Sequence, residues 1–93
     1  MAQINSQTVL ALADDASIQS VGDGAVVLLA QSGQLFTCNE STEAFLVKVD
    51  GVRSFADIVG LLGEEFEVEA ETATRDFQIL AQELVEEGVL ARP

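Results

Sequence analysis

Cys38 is the strongest candidate for a reactive residue, because a cysteine thiolate can act as a nucleophile or a metal ligand. It is the single cysteine, and the chain contains no histidine. An internal disulfide, a cysteine–histidine relay and a histidine-containing metal cluster therefore lack the residues they need. No cationic residue stands next to Cys38 in the sequence to activate its thiol. We predict that it serves as a small, buried or half-buried apolar residue.

Two further stretches could bind ions, but their spacing argues against it. The stretch "GEEFEVEAE", residues 63–71, holds five glutamates without the spacing of a calcium loop, and it is predicted to be a solvated linker. The stretch "GDG", residues 22–24, precedes a predicted strand and has no glycine–lysine pair after it, so it is predicted to be a turn and not a phosphate cradle. We therefore predict no catalytic residue, no metal site and no cofactor. The protein is not expected to be an enzyme.

Ser54 could carry a phosphopantetheine arm, since small acidic carrier proteins attach this group to a serine at a helix start. In "GVRSFAD", residues 51–57, an arginine stands where carrier proteins have an aspartate. The strand-rich first third also does not suit a four-helix carrier. Ser54 followed by Asp57 resembles a capping box, which is the favoured interpretation. A small acidic carrier protein and a regulatory protein-interaction domain stay open as alternative functions.

The composition limits the partners of the protein. The chain has 93 residues, 48% of them hydrophobic, which suits one small domain with a core. Sixteen acids against four bases give a formal net charge of −12, and this charge repels nucleic acid and anionic membrane surfaces. The N-terminal residues resemble no secretory signal, and the longest apolar run, Ala25–Ala30, is too short to span a membrane. A reduced, cytoplasmic domain is predicted.

Short apolar runs separated by glycine turns predict an antiparallel meander in the first half of the chain. The runs are Ile18–Val21, Ala25–Ala30 and Gln34–Cys38. The middle run is apolar at successive positions, which predicts a central strand covered on both faces. Residues 1–16 are predicted to be an N-terminal lead-in, extended or flexible. Residues 17–93 are predicted to form the domain.

A helical period begins at Asn39, and three helices are predicted from there to the end. Asn39 or Ser41 can cap the first, Ser54 caps the second, and the third runs from about Glu71 to Glu87 before a glycine stop. Each helix has apolar residues on one face, which is expected to be buried. These residues are Phe45, Leu46 and Val49 in the first helix, Phe55, Ile58, Val59, Leu62 and Phe66 in the second, and Ala73, Phe77, Leu80, Ala81 and Leu84 in the third. The fold class is predicted to be α+β, with a three-stranded antiparallel N-terminal sheet followed by a three-helix bundle.

The third predicted helix has a second side that its core stripe does not use. Ile79 lies opposite that stripe, and Arg75 and Gln82 lie around it. A single exposed isoleucine is ordinary. The functional alternative is that a groove lies between this helix and the third predicted strand. The helix would border the groove either with the side of Ile79 or with the flank of Gln78 and Val85. As the last strand of a meander, Gln34–Cys38 is expected to be an edge that can accept a guest strand.

These motifs, in this order, resemble the PqqD-like family, the peptide-recognition domains of ribosomal peptide modification systems. The matching stretches are the glycine turn before "VVLLA", then "SGQLFTCN", "VDGVRSFADIVGLL" and "DFQILAQELVEEGVL", which together span about residues 17–91. The pair Cys38–Asn39 stands where relatives usually have Leu–Asn. The proline-rich opening of the quinone-cofactor members is missing, so a lasso-peptide or radical-SAM peptide pathway fits at least as well.

The resemblance implies a winged-helix-like domain that binds the leader segment of a precursor peptide. Such a domain presents the leader to a modifying enzyme, such as a radical-SAM enzyme or a leader peptidase. The leader adds as a strand beside the third strand and lies against the third helix. The positions implied here are Leu35, Phe36, Thr37 and Cys38 on the strand, and Arg75, Gln78, Ile79 and Gln82 on the helix. Arg75, the one cation of that helix, is expected to meet an acidic leader residue.

Overall fold

The computed structural model describes residues 4–92, which form one three-stranded antiparallel sheet, one two-stranded ribbon and three helices. The predicted α+β class with these three strands and three helices is confirmed. In chain order the elements are β1 (Ala11–Leu12), β2 (Ala16–Val21), β3 (Gly24–Leu29), β4 (Gln34–Cys38), α1 (Glu40–Lys48), α2 (Phe55–Phe66), α3 (Ala70–Glu86) and β5 (Leu90–Ala91).

The larger sheet has the order β2-β3-β4, so that β3 lies in the centre and β4 at an edge. Val27 of β3 is aligned with Ile18 on one side and with Phe36 on the other. Because side chains alternate along a strand, these three residues face the helices, and Leu28 with its partner Leu35 faces away. Leu28 is 40% exposed and Leu35 is 66% exposed. The prediction that β3 is covered on both faces is therefore wrong, because no described element packs on the outer face.

The core lies between the inner face of this sheet and the three helices. Phe45 of α1 is fully buried at its centre. Its ring stacks on that of Phe77 from α3, with centroids 5.8 Å apart, and meets the edge of Phe55 from α2 at 6.4 Å. One aromatic residue from each helix therefore fixes how the helices pack on one another.

The predicted helix boundaries follow from local hydrogen bonds. The Asn39 side chain accepts a bond from the backbone N–H of Thr42 at 2.9 Å and caps α1. The Ser54 hydroxyl accepts one from the backbone N–H of Asp57 at 3.2 Å and caps α2. After α3, Gly88 adopts a φ of 84° and the N–H of the next residue, Val89, donates to the carbonyl of Leu84. This is the Schellman arrangement that the glycine stop predicts.

The described part of the N-terminal segment packs onto the helices. Ile4 and Leu10 are buried in the core. The backbone N–H of Phe55 donates to the carbonyl of Thr8 at 2.7 Å, and β1 pairs with β5 beyond α3. Residues 4–12 thus contact both the start of α2 and β5. The first three residues of the predicted lead-in lie outside the described residues. Among residues 4–92, no helix is long and apolar enough to cross a membrane.

Candidate functional site

The edge strand β4 is the first part of the candidate site. In the described chain it pairs with β3 and with no other strand, which leaves one side of its backbone open for pairing. Phe36 and Cys38 point inward and are half-buried against the core, whereas Leu35 and Thr37 point outward and are exposed. A strand added at this edge would therefore meet two different surfaces, one on each face of the sheet.

Cys38 is the last residue of β4 and is half-buried, and the carboxylate of Glu43 from α1 lies near it. Burial raises the pKa of its thiol, and the nearby carboxylate of Glu43 raises it further. The Glu43 carboxylate also accepts a hydrogen bond from the Ser20 hydroxyl. Both causes disfavour the thiolate, so the site has no activated nucleophile at this position.

Cys38 is expected to react with iodoacetamide more slowly than a free cysteine. Because the raised pKa leaves less thiolate at any given pH, the rate should continue to rise at pH values where a free cysteine has levelled off. Glu43→Gln should lower the pKa and speed the reaction only in part, since burial is the larger cause. Mass spectrometry of the alkylated protein, against a peptide with the sequence of residues 34–40, measures these rates. A rate equal to that of the peptide would contradict the structure.

A cavity of about 430 Å³ opens beside the end of β4, between the start of α1, the end of α2 and one flank of α3. Asn39, the residue that follows β4, contributes to one wall. The walls are mainly apolar, and Phe66, Phe77 and Leu80 supply most of the large side chains. A chain that continues along the β4 edge would thus pass the mouth of an apolar cavity.

The cavity identifies the flank of α3 that lies toward the end of β4. Asp76, Phe77 and Leu80 line it. Gln78 lies on the other flank, where its side-chain amide donates a hydrogen bond of 2.5 Å to the backbone carbonyl of Ile4. The N-terminal segment therefore occupies the Gln78 flank, and the Leu80 flank is left open.

The other helix positions implied by the resemblance lie elsewhere on α3. Arg75 and Ile79 are exposed, Gln82 is half-buried, and none of the three lines the cavity. None of the predicted site residues lines the cavity, and β4 approaches it only through Asn39, the residue that follows Cys38. Sequence reasoning assigned Phe77 and Leu80 to the core and did not consider Asp76. A helical wheel could have grouped Asp76 with Leu80, but it could not tell which flank lies toward the sheet.

The other candidate groups of the sequence have structural roles or no geometry for chemistry. The Ser54 hydroxyl caps α2, and Ser54 forms an isolated bridge with Val9. Within residues 4–92, no group of three or more histidine, cysteine or acidic side chains is arranged to hold a metal ion. The site as described can bind a chain by backbone pairing and by burial of a side chain.

Comparisons with known proteins identify a family and two similar solved structures. The family described as coenzyme PQQ synthesis protein D (PqqD) matches residues 24–90. The comparison with curated proteins gives no match. The fold is similar to that of TbiB1 in complex with the TbiA(beta) leader peptide, with a TM-score of 0.79 and 20% identity over 86% of this chain and 93% of that chain. It is also similar to lasso peptide synthetase B1 complexed with the leader peptide, with a TM-score of 0.78 and 28% identity over 88% of this chain and 96% of that chain.

Proposed function

The chain belongs to the PqqD family, and from this membership we propose that it is a non-enzymatic domain that binds the leader segment of a ribosomally made precursor peptide. The leader adds as a strand to β4 and is presented to a modifying enzyme, such as a radical-SAM enzyme or a leader peptidase. In this proposal the encounter takes place in the cytoplasm, where the precursor is synthesised. The domain is winged-helix-like in this proposal, with the meander of β2, β3 and β4 as its sheet.

The observation that carries the proposal is the open edge of β4 beside an apolar cavity. The other edge strand of the sheet, β2, borders a groove of about 430 Å³ that lies mainly on the outer face of the sheet, at Ser17, Gln19 and Leu28, whereas the cavity beside β4 lies against α3. The similarity to lasso peptide synthetase B1, complexed with its leader peptide, supports the same kind of ligand for this chain.

Backbone pairing and side-chain burial are both needed for useful affinity. Each backbone hydrogen bond contributes about 0.5–1.5 kcal/mol net, and alternate residues among the five of β4 direct their backbone groups to the open side. Burial of one leucine- or phenylalanine-sized side chain contributes about 1.5–3 kcal/mol. Association itself costs about 4–15 kcal/mol. The strand edge alone would therefore bind weakly and without selectivity, and the cavity supplies the missing energy and the choice of sequence.

In this proposal, alternate leader side chains face inward and outward. The inward ones lie over Phe36 and Cys38 and reach the cavity walls at Phe77 and Leu80, while the outward ones lie beside Leu35 and Thr37. Contacts to Arg75, Gln78, Ile79 and Gln82 stay a prediction, which the same experiment tests.

The proposal is tested by titrating isotope-labelled protein with leader peptides of short precursors that are encoded beside its gene, and by following backbone amide shifts. The largest shifts are expected in β4, at Asn39 and around Leu80. A scrambled leader is the peptide control and should produce no such pattern. Shifts confined to α2, or no shifts with any leader of the gene neighbourhood, would contradict the proposal.

Leu80→Ala is expected to weaken leader binding about fivefold or more, because the removed atoms form part of the cavity wall that the leader covers. Leu61→Ala is the matched control, since Leu61 lies on α2 and is partly exposed. Isothermal titration of both variants with one leader measures the effect. Equal affinities for the two variants would contradict the placement of the leader at the cavity.

A further inference from the structure

The mouth of the cavity beside β4 carries a negative charge that the proposed function does not use. Asp76 is the one charged residue among those described that line this cavity. Its side chain is 64% exposed, so it lies at the mouth and not among the apolar walls. A leader whose apolar side chain enters the cavity must place a neighbouring residue close to this carboxylate.

Asp76 is available to a cation of the ligand because its ion pair with Arg75 is weak. The Arg75 Nε lies 3.8 Å from the Asp76 carboxylate, and both side chains are largely exposed. Exposed ion pairs of this kind contribute little, since water competes for both charges. A basic side chain of a paired leader strand can therefore approach the Asp76 carboxylate without displacing a strong contact.

The start of α1 on the opposite wall could in principle favour an anion, because the N-terminus of a helix carries a partial positive charge. Here that charge is already offset. The Asn39 side chain accepts from the backbone N–H of Thr42, and Glu40 and Glu43 lie in the first turn. The net charge of −12 adds a field of the same sign as Asp76. The mouth is therefore negative, and acidic leader residues are repelled from it.

We propose that Asp76 selects leaders that carry lysine or arginine next to the side chain that enters the cavity. This inference rests on the proposed function and adds the charge class of the ligand. It is the opposite of what Arg75 alone suggests, namely an acidic leader residue. The two assignments involve adjacent residues of α3, so one experiment separates them.

The test uses the leader that binds in the amide titration, with lysine and glutamate substituted in turn at each position. Wild-type protein should bind the lysine form of one position roughly threefold or more better than its glutamate form. Asp76→Asn should remove this preference, whereas Glu71→Gln, on the Gln78 flank of α3, should keep it. The preference should also fall in about 0.5 M NaCl, where the Debye length is roughly 4 Å. Thermal melts of all variants check that they are equally folded.

Four outcomes overturn the inference, the last of them together with the proposed function. A preference that persists in Asp76→Asn assigns it to another group. A preference for glutamate that Arg75→Gln removes supports the acidic leader instead. A leader that binds without charge preference at any position overturns the role of Asp76 and leaves the proposed function intact, whereas failure of every leader to bind removes both.

Discussion

Phe45→Ala is expected to destabilise the protein by about 3–5 kcal/mol, because truncation of a buried phenylalanine loses its transfer free energy and leaves a cavity. Phe45 is fully buried and its ring contacts those of Phe55 and Phe77, so all three helices lose a shared contact. A domain of this length has a total stability of about 5–14 kcal/mol. The loss therefore takes a large part of the free energy of unfolding, which urea unfolding followed by circular dichroism measures.

Val47→Ala is the matched control for this substitution. Val47 lies on the same helix, two residues away, and is 60% exposed. Its truncation should change the free energy of unfolding by less than about 0.5 kcal/mol. If Phe45→Ala cost no more than Val47→Ala, the aromatic contacts would not be the centre of the core.

Gly24→Ala is expected to disturb both stability and the candidate site. A Cβ at Gly24 would lie 2.0 Å from the backbone carbonyl oxygen of Cys38, closer than such atoms approach in proteins. Because the obstacle is backbone, the end of β4 must move away from β3. We expect a loss of about 1–3 kcal/mol in the free energy of unfolding and a leader affinity lowered about tenfold, since the displaced end of β4 leads into the cavity.

Gly60→Ala is the matched control for Gly24→Ala, because it makes the same substitution at a position with free space. Gly60 lies inside α2, and a Cβ there meets no other atom within 4 Å. Alanine should stabilise the helix by up to about 1 kcal/mol relative to glycine and should leave leader binding unchanged. In a strand, propensity alone would also favour alanine over glycine, so stabilisation by Gly24→Ala would contradict the close approach of β3 and β4.

Much of the fold could be predicted because its signals are local. Asn39 and Ser54 are followed three residues later by the N–H groups that they cap, and Gly88 ends α3 in the left-handed conformation. The strands are separated by glycine turns, at which Gly22 and Gly33 have positive φ values. The family resemblance that rests on these motifs is confirmed by the match to residues 24–90.

The contacts of the N-terminal segment could not be predicted in the same way. Leu12 pairs with Leu90, so the two strands of this ribbon are separated by almost the whole chain. Each is only two residues long, which is too short for a periodic pattern. Ile4 is a single apolar residue among polar ones, and Leu10 lies in the short apolar run 9–13, which has no period that tells which of its side chains are buried.

The choice between the two flanks of α3 depends on that same segment. A helical wheel places Leu80 and Asp76 on one side of the core stripe, and Gln78 and Val85 on the other. The periodicity of the apolar residues does not distinguish these two sides. The bond from Gln78 to the carbonyl of Ile4 assigns one flank to the N-terminal segment, and the cavity assigns the other to the end of β4. Leu80 therefore joins the candidate contacts, and a contact of the leader with Gln78 stays a prediction.

The central claim is that the leader binds by strand addition to β4, and a backbone N-methyl scan of the leader tests it most directly. N-methylation removes one N–H donor and leaves the side chain unchanged. In an added strand, alternate N–H groups point toward the partner strand. We therefore predict an affinity loss of about tenfold at every second residue of the bound stretch, with small effects between them. Uniformly small effects, or losses at intervals of three to four residues, would contradict strand addition to β4.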